Sequence, residues 1–491
     1  MNPGLRGLAA AAIAVALAQR VVNALRYPVD FGFDAAGNWE YVVALLGSLR
    51  LPEPGEGWST SHPPLFYYLA AGLLRLLGRP EKEVAVPIVR LLLSAAGLGV
   101  AALAAGAARA REAGGGPAAL LAGLLVLFLP AHIMLSAMFS EEMLAALFAS
   151  LALVGASRAL RALDAGEEAP GWLHAATGTA AGAALLTKFS GVAVLGAIAA
   201  SYGVTGVRLR HGGAWRGLGL FLGTGLLVSG WYYGWNWVTH GYVYPHGLEA
   251  HALMRNMPPG HRELLDYVRF PLSLFTDPQL LDPRLLRSVW GSTFATLWFD
   301  GHRHFLPAGG ELVGAVGGAM LGLALVPTAA FLLGFGRALL RLLRGAGHGD
   351  APLVLAVLFT AAGYVVFTWQ NPWFAVLKGS YLLGLSVPFG VYAGEELVRF
   401  VRRGAAARLL AAGSLAALFA LTAVTFTQGL VFEKEEPPGL PWYRVGAVGG
   451  TPAEQAAVAN QDPEAGGGAA RRRPMVSKAV APSSSRKPAQ A

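Results

Sequence analysis

The sequence contains no cysteine, which excludes disulfides and thiolate metal sites and leaves the redox compartment unmarked. Charge is also scarce. Asp, Glu, Lys and Arg make up 14% of the 491 residues, too few to keep in water a chain that is 54% hydrophobic. The net charge of +9 is modest, and arginine in short loops plus a basic tail accounts for it, so nucleic-acid binding is not indicated. No glycine-rich phosphate loop and no internal repeat is evident. The N-terminal apolar run reaches Leu25, longer than the core of a signal peptide, and is read as a first membrane span.

What is present is a succession of apolar runs. A hydrocarbon core of about 30 Å needs roughly 20 apolar residues per helix, and about eleven stretches approach that. They lie near residues 5–25, 84–108, 117–137, 141–157, 171–187, 190–207, 218–238, 311–336, 351–369, 381–397 and 409–430. The bilayer offers the backbone no hydrogen bonds, so the spans are helices. The 64 glycines lie largely inside such runs, where small residues let membrane helices approach closely. The expected fold is therefore an all-α polytopic membrane protein.

Arginines orient it. Arg109 and Arg111, Arg158 and Arg161, Arg208, Arg210 and Arg216, Arg337, Arg341 and Arg344, and Arg399, Arg402, Arg403 and Arg408 fall in alternate short loops. The positive-inside rule makes those loops cytoplasmic. Two long segments, 26–83 and 239–310, then face the exterior. In the first, Trp39, Val42, Val43, Leu46 and Leu49 recur at helical spacing, which predicts a helix lying in the interface. Pro63 and Pro64 open a second helix that runs to Gly78, too short to cross alone. The membrane module is expected to occupy 1–430, followed by a disordered basic tail over 431–491 rich in Pro, Gly, Ser and Ala.

An ionisable side chain at the bilayer centre costs about 2.5–3.5 kcal/mol on insertion scales, so charges at exterior span ends form a natural shortlist. Asp34 lies just after the first span. Glu141 and Glu142 open the fourth, Lys188 sits between two apolar runs, Lys378 precedes the tenth, and His62 precedes the double proline. Each has a bland alternative: Asp34 as a helix cap, Glu141 and Glu142 as acids at a helix N-terminus, Lys188 and Lys378 as headgroup anchors. His62 with His240, His246, His251 and His261 matches no standard ligand spacing, so a divalent metal has no support from the sequence, and no cofactor is assigned. The functional reading draws on convergence: acids and bases from separate segments map to one face.

At these residues the sequence resembles the GT-C membrane glycosyltransferases, in particular the protein O-mannosyltransferase and lipid A aminoarabinose transferase branch. The matching stretches are FGFDAAGNWEY around Asp34, SHPPLFYYL (61–69), IVRLLLSAAGL (88–98), the acidic pair Glu141 and Glu142, GAALLTKFSG (182–191), GWYYGWNWVTHGYVYP (230–245) and LKGSYLLGLSVP (377–388). The resemblance implies a first exterior loop with juxtamembrane helices. It also implies transfer of a sugar from a polyprenyl-phosphate carrier to a lipid, glycan or protein acceptor on the exterior face of a bacterial cytoplasmic membrane. Asp34, with Glu141 and Glu142, would serve the acceptor side; His62, Arg90, Lys188, Lys378 and Tyr381 would hold the carrier phosphate. Where the mannosyltransferases carry an Asp-Glu pair after the first span, this chain has Asp34 and Ala35. A transporter or lipid flippase is the alternative class. Such proteins commonly show repeats and midplane charges, whereas the shortlisted charges here gather at one face.

Overall fold

The computed structural model describes residues 3–111, 116–245, 248–279 and 283–435, and among them it is helical, with no named β-strand. Helix α1 (Pro3–Arg26) is followed by two short helices, α2 (Ala35–Gly47) and α3 (Leu65–Leu76). Next come α4 (Lys82–Arg109), α5 (Pro117–Leu127), α6 (Pro130–Ala137), α7 (Glu142–Asp164), α8 (Gly171–Thr187), α9 (Gly191–Leu209) and α10 (Gly212–His240). A long connection then carries α11 (Pro283–Arg287) and α12 (Val289–Trp298). The last four are α13 (Glu311–Leu343), α14 (Ala351–Gln370), α15 (Ser386–Val401) and α16 (Ala405–Thr425).

Helices therefore stand at the expected apolar runs, and fewer than eleven of them meet a strict measure of length and apolarity. Among the described residues eight helices are long and apolar enough to cross a membrane, or nine if α5 and α6, bent by 52° at their junction, form one broken span. The remaining two, α8 with 17 residues and α10 with its Trp, Tyr, His and Asn side chains, do not meet that measure. The α5–α6 break occurs where Pro130 removes a backbone donor, the usual cause of a sharp kink.

Helices α4 and α7 form the interior. α7 packs on α4, α8 and α9, and α4 packs on α1, α5 and α15. α8 and α10 approach so closely that a Cβ at Gly178 or Gly182 would meet the Phe221 or Gly225 carbonyl at 2.2 and 2.5 Å. The outer helices turn large apolar side chains outward, among them Leu8, Leu227, Val238, Leu332 and Leu409. A water-exposed protein rarely keeps such a belt, and lipid is its natural neighbour.

The two short helices of the first loop form as expected, with a changed face. α2 buries Asn38, Tyr41, Val42 and Leu45 and packs on α3, whereas Val43 is exposed and Leu49 lies beyond the helix end and is exposed too. The apolar stripe therefore divides between core and surroundings. The second long segment holds more structure than a loop: α12, expected as connection, is almost wholly buried. Residues 431–435 also belong to the folded body, since Phe432 is in the core and the Lys434 ammonium donates to the Arg303 and Leu306 carbonyls. The rest of the expected tail, 436–491, and His246 lie outside the described residues.

The arginine distribution predicts that the loop between α1 and α4 faces the exterior. A cysteine at exposed Glu56 should react with a membrane-impermeant maleimide in intact cells, and one at exposed Arg344 only after permeabilisation. The reverse pattern would invert the topology.

Candidate active site

Asp34 occupies the N-cap position of α2 but does not behave as a cap. Its backbone is left-handed (φ 55°, ψ 15°) and its side chain makes no capping hydrogen bond. A cap residue ordinarily has extended backbone and bonds the first turn, and a non-glycine residue held in this region stores roughly 1 kcal/mol or more. The carboxylate is turned elsewhere. Oδ1 accepts a 2.7 Å hydrogen bond from the Trp58 indole N–H, and Oδ2 lies 3.8 Å from the Lys378 ammonium. Its side chain keeps 31% of its exposure, so a reactant can reach it. Burial alone would raise its pKa; Lys378, His62 and the Trp58 hydrogen bond outweigh that and hold the carboxyl well below the usual range.

A second group of charges lies beside it. The Lys188 ammonium, just past the end of α8, bonds Glu142 at 2.6 Å and Glu141 at 3.1 Å. The Ser380 hydroxyl donates to the same Glu142 oxygen at 3.0 Å. Glu141, at the N-cap of α7, makes no capping hydrogen bond with its side chain. Burial opposes the charges on Glu141 and Lys188, yet their attraction prevails: Glu141 stays below its ordinary pKa and Lys188 well above its own. The Tyr381 ring lies under Lys188, 5.3 Å from the ammonium.

His62 joins the two groups. Its Nδ1 is 3.0 Å from the Tyr67 hydroxyl and 3.8 Å from Glu141. Tyr67 in turn donates to Asn38, whose amide donates to the Phe139 carbonyl. This chain ties α3 to α2 and to the turn before α7, setting His62 relative to Glu141. Burial lowers the His62 pKa against the raising influence of Glu141 and Asp34, so the ring is neutral near pH 7. Counted together, three carboxylates face two ammonium groups.

The remaining expected residue, Arg90, is placed differently. It is fully buried in α4, with its guanidinium donating to the Tyr27 and Pro28 carbonyls and lying over the Tyr27 ring. That position holds the end of α1 and the chain leading to Asp34.

The sequence reading missed several contributors. Trp58 anchors Asp34, and His251 holds Trp58 in turn, through its backbone carbonyl at 2.8 Å and by ring contact. His302 and His304 pack against Phe33, and Lys378 lies 4.4 Å from the centre of that same ring. Burial, the first cause, pushes the His302 pKa down to about 4, and His304 is lowered in the same way. Thr296 of α12 accepts from the Gly379 N–H at 2.8 Å. A Cβ at Gly379 would lie 2.6 Å from the Leu297 backbone, which explains why glycine follows Lys378. The sequence signal that could have found part of this set is the spacing in GHRHF (301–305), two histidines flanking an arginine. Among the described residues no group of three or more His, Asp or Glu is arranged to hold a metal ion.

Residues 61–228 match the family model of dolichyl-phosphate-mannose-protein mannosyltransferases. The resemblance to GT-C glycosyltransferases is thus shown over a stretch that includes His62, Glu141, Glu142 and Lys188; Asp34, Lys378 and Tyr381 lie outside it. None of the curated proteins matches the chain. Among solved structures, ArnT from Cupriavidus metallidurans in the apo state is similar at 17% identity and a TM-score of 0.39, covering 82% of this chain and 81% of its own. An oligosaccharyltransferase from Archaeoglobus fulgidus tethered to an acceptor peptide is 13% identical with a TM-score of 0.45, covering 88% of this chain and 56% of its own. The arabinofuranosyltransferase AftD from Mycobacteria is 16% identical with a TM-score of 0.44, covering 89% of this chain and 28% of its own.

The two lysines should differ in their effect on stability. Lys188→Met strands two buried carboxylates and should destabilise the protein by about 3–5 kcal/mol, whereas Lys378→Met releases a partly exposed Asp34 and should cost about 1 kcal/mol or less. Thermal unfolding of the two variants in detergent checks this. Equal losses would place Lys378 in the structural network as well.

Proposed function

We propose that the protein is a membrane glycosyltransferase that moves a sugar from a polyprenyl-phosphate carrier to a nucleophilic acceptor on the exterior face. The observation that carries this reading is Asp34: a strained, partly exposed carboxylate that declines its capping role and faces Lys378 across 3.8 Å. A purely structural acid would relax into the cap. The family model over residues 61–228, described as dolichyl-phosphate-mannose-protein mannosyltransferase, supports a lipid-phosphate sugar donor.

The chemistry follows from the residues. The bond from the anomeric carbon to the carrier phosphate oxygen breaks, its electron pair passes to the phosphate, and the acceptor oxygen or nitrogen bonds the same carbon. Asp34 accepts the acceptor's proton as that bond forms. Lys378, with Tyr381 nearby, meets the charge growing on the leaving phosphate. A phosphate within reach of Lys378 competes with Asp34 for the ammonium. Donor binding thereby removes the largest influence that depresses the Asp34 carboxyl, and leaves it a better base once the substrate is present. Lys188 is held by two glutamates, so its part is to keep Glu141, Glu142 and Ser380 in place and to offset the charge of the two carboxylates. Charges gathered at one end of the bundle suit a transferase better than a transporter, for which midplane sites are the rule.

Asparagine tolerates left-handed backbone and keeps the shape of aspartate. Asp34→Asn should therefore leave expression and thermal stability close to normal and lower turnover by about 10²- to 10⁴-fold. Release of free polyprenyl phosphate from short-chain polyprenyl-phosphate sugars, with purified protein and an acceptor mixture, measures it. Turnover near that of the parent protein would end the case for Asp34 as the base.

A pH effect separates His62 from the lysines. The unliganded ring is neutral near pH 7 because burial lowers its pKa, and a phosphate brought beside it would raise that pKa and favour the imidazolium. Donor affinity should then strengthen as pH falls from about 8 to 6, where the histidine takes up its proton, and His62→Gln should flatten this dependence. A slope of the same size in the variant would exclude His62 from the donor side.

A further inference from the structure

Glu142 and Arg161 lie 19 residues apart on α7, roughly 28 Å at 1.5 Å per residue. At the Arg161 end of the bundle there is a cavity of about 600 Å³ whose lining includes five arginines, Arg111, Arg161, Arg341, Arg399 and Arg402. Three carboxylates, Asp164, Asp350 and Glu395, share it, leaving an excess of two positive charges.

The acids are already engaged. Arg111 pairs with Asp350 and, at 2.5 Å, with Glu395. Arg341 bonds the other Asp350 oxygen at 3.1 Å, and Arg399 lies 3.5 Å from Glu395. Arg161 differs. Among the described residues no hydrogen bond or ion pair holds its guanidinium, although it is close enough to Glu395 to feel its charge. Its side chain is half-buried and lies hard against Gly349, where a Cβ would come within 2.0 Å of its Cγ. A fixed, unpaired guanidinium beside a cavity with excess positive charge lacks an anion.

We propose that this cavity binds a phosphate-bearing group, with Arg161 as its principal donor. Guanidinium matches phosphate oxygens two at a time, and the volume is that of an ordinary small-ligand site. By the arginine distribution this end is cytoplasmic, where basic pockets between membrane helices meet anionic lipid headgroups. The phosphate therefore comes from the headgroup of an anionic phospholipid or from a soluble phosphate. The site is far from Asp34 and independent of the transferase reading.

The test uses the full chain purified in a neutral detergent, with binding read from thermal stabilisation during titration. The probes are phosphatidylglycerol or cardiolipin in mixed micelles, phosphatidylcholine as the zwitterionic control, and inorganic phosphate or pyrophosphate without lipid. Stabilisation by the anionic lipids alone, weakened about tenfold by Arg161→Gln, supports the proposal with a lipid as source. The same loss with phosphate or pyrophosphate supports it with a soluble source. Should Arg161→Gln fail to fold, Arg341→Gln, on the half-exposed rim, removes the same charge and must weaken binding several-fold. No stabilisation by any phosphate-bearing probe, equal stabilisation by phosphatidylcholine, or unchanged affinity in the variants would overturn it.

Discussion

The ammonium of Lys188 between Glu141 and Glu142 is the interaction on which the rest of the site depends. Three charges withdrawn from water would each be prohibitive alone, and a hydrogen-bonded cluster is what makes their burial tolerable. Its members come from three places: the start of α7, the end of α8 and, through Ser380, the turn before α15. Because each charge needs the others, these elements have little freedom to shift, and Lys378, two residues from Ser380, inherits that fixed position. Asp34 is then placed from the other side, by Trp58 and by the Asn38–Tyr67–His62 chain.

Much of this was legible because membrane sequences use charge sparingly. In a chain so poor in ionisable groups, Asp34, Glu141, Glu142, Lys188 and Lys378 stood out, and the structure brings all five together. Pro63–Pro64 marked the start of α3. The charge signal says less at Arg90, since an arginine near a span end reads alike whether it faces a ligand or binds backbone carbonyls. Only tertiary contact with Tyr27 and Pro28 distinguishes the two.

Other parts left no trace in pattern. Trp58 lies in a glycine- and proline-rich stretch, where an indole is equally at home in an interface. α12 is ten residues of mixed Ser, Thr and aromatic side chains, too short for periodicity to identify. Its burial, and hence the seat it provides for Gly379, comes from packing between distant segments. Apolarity and length alone identify fewer spans than the eleven expected, for a related reason. α8 and α10 present small or amphipathic residues to each other, so helix-to-helix contact replaces part of the apolarity that lipid would demand.

The kink between α5 and α6 has a consequence for how the protein is assembled. A broken helix exposes carbonyls that hydrocarbon cannot satisfy, and here the Leu127 carbonyl accepts from Arg20 of α1 at 2.8 Å, while the same guanidinium nitrogen lies 3.1 Å from His132 Nδ1. Arg20 is itself buried and equally in need of these partners. Neither segment is comfortable in lipid by itself. During synthesis α1 emerges before α5 and, apart from the Ala16 carbonyl of its own helix, carries an arginine without its partners until about a hundred further residues have followed. Each supplies what the other lacks in hydrocarbon, so α1 and the broken span are at home in the bilayer as a pair and not singly.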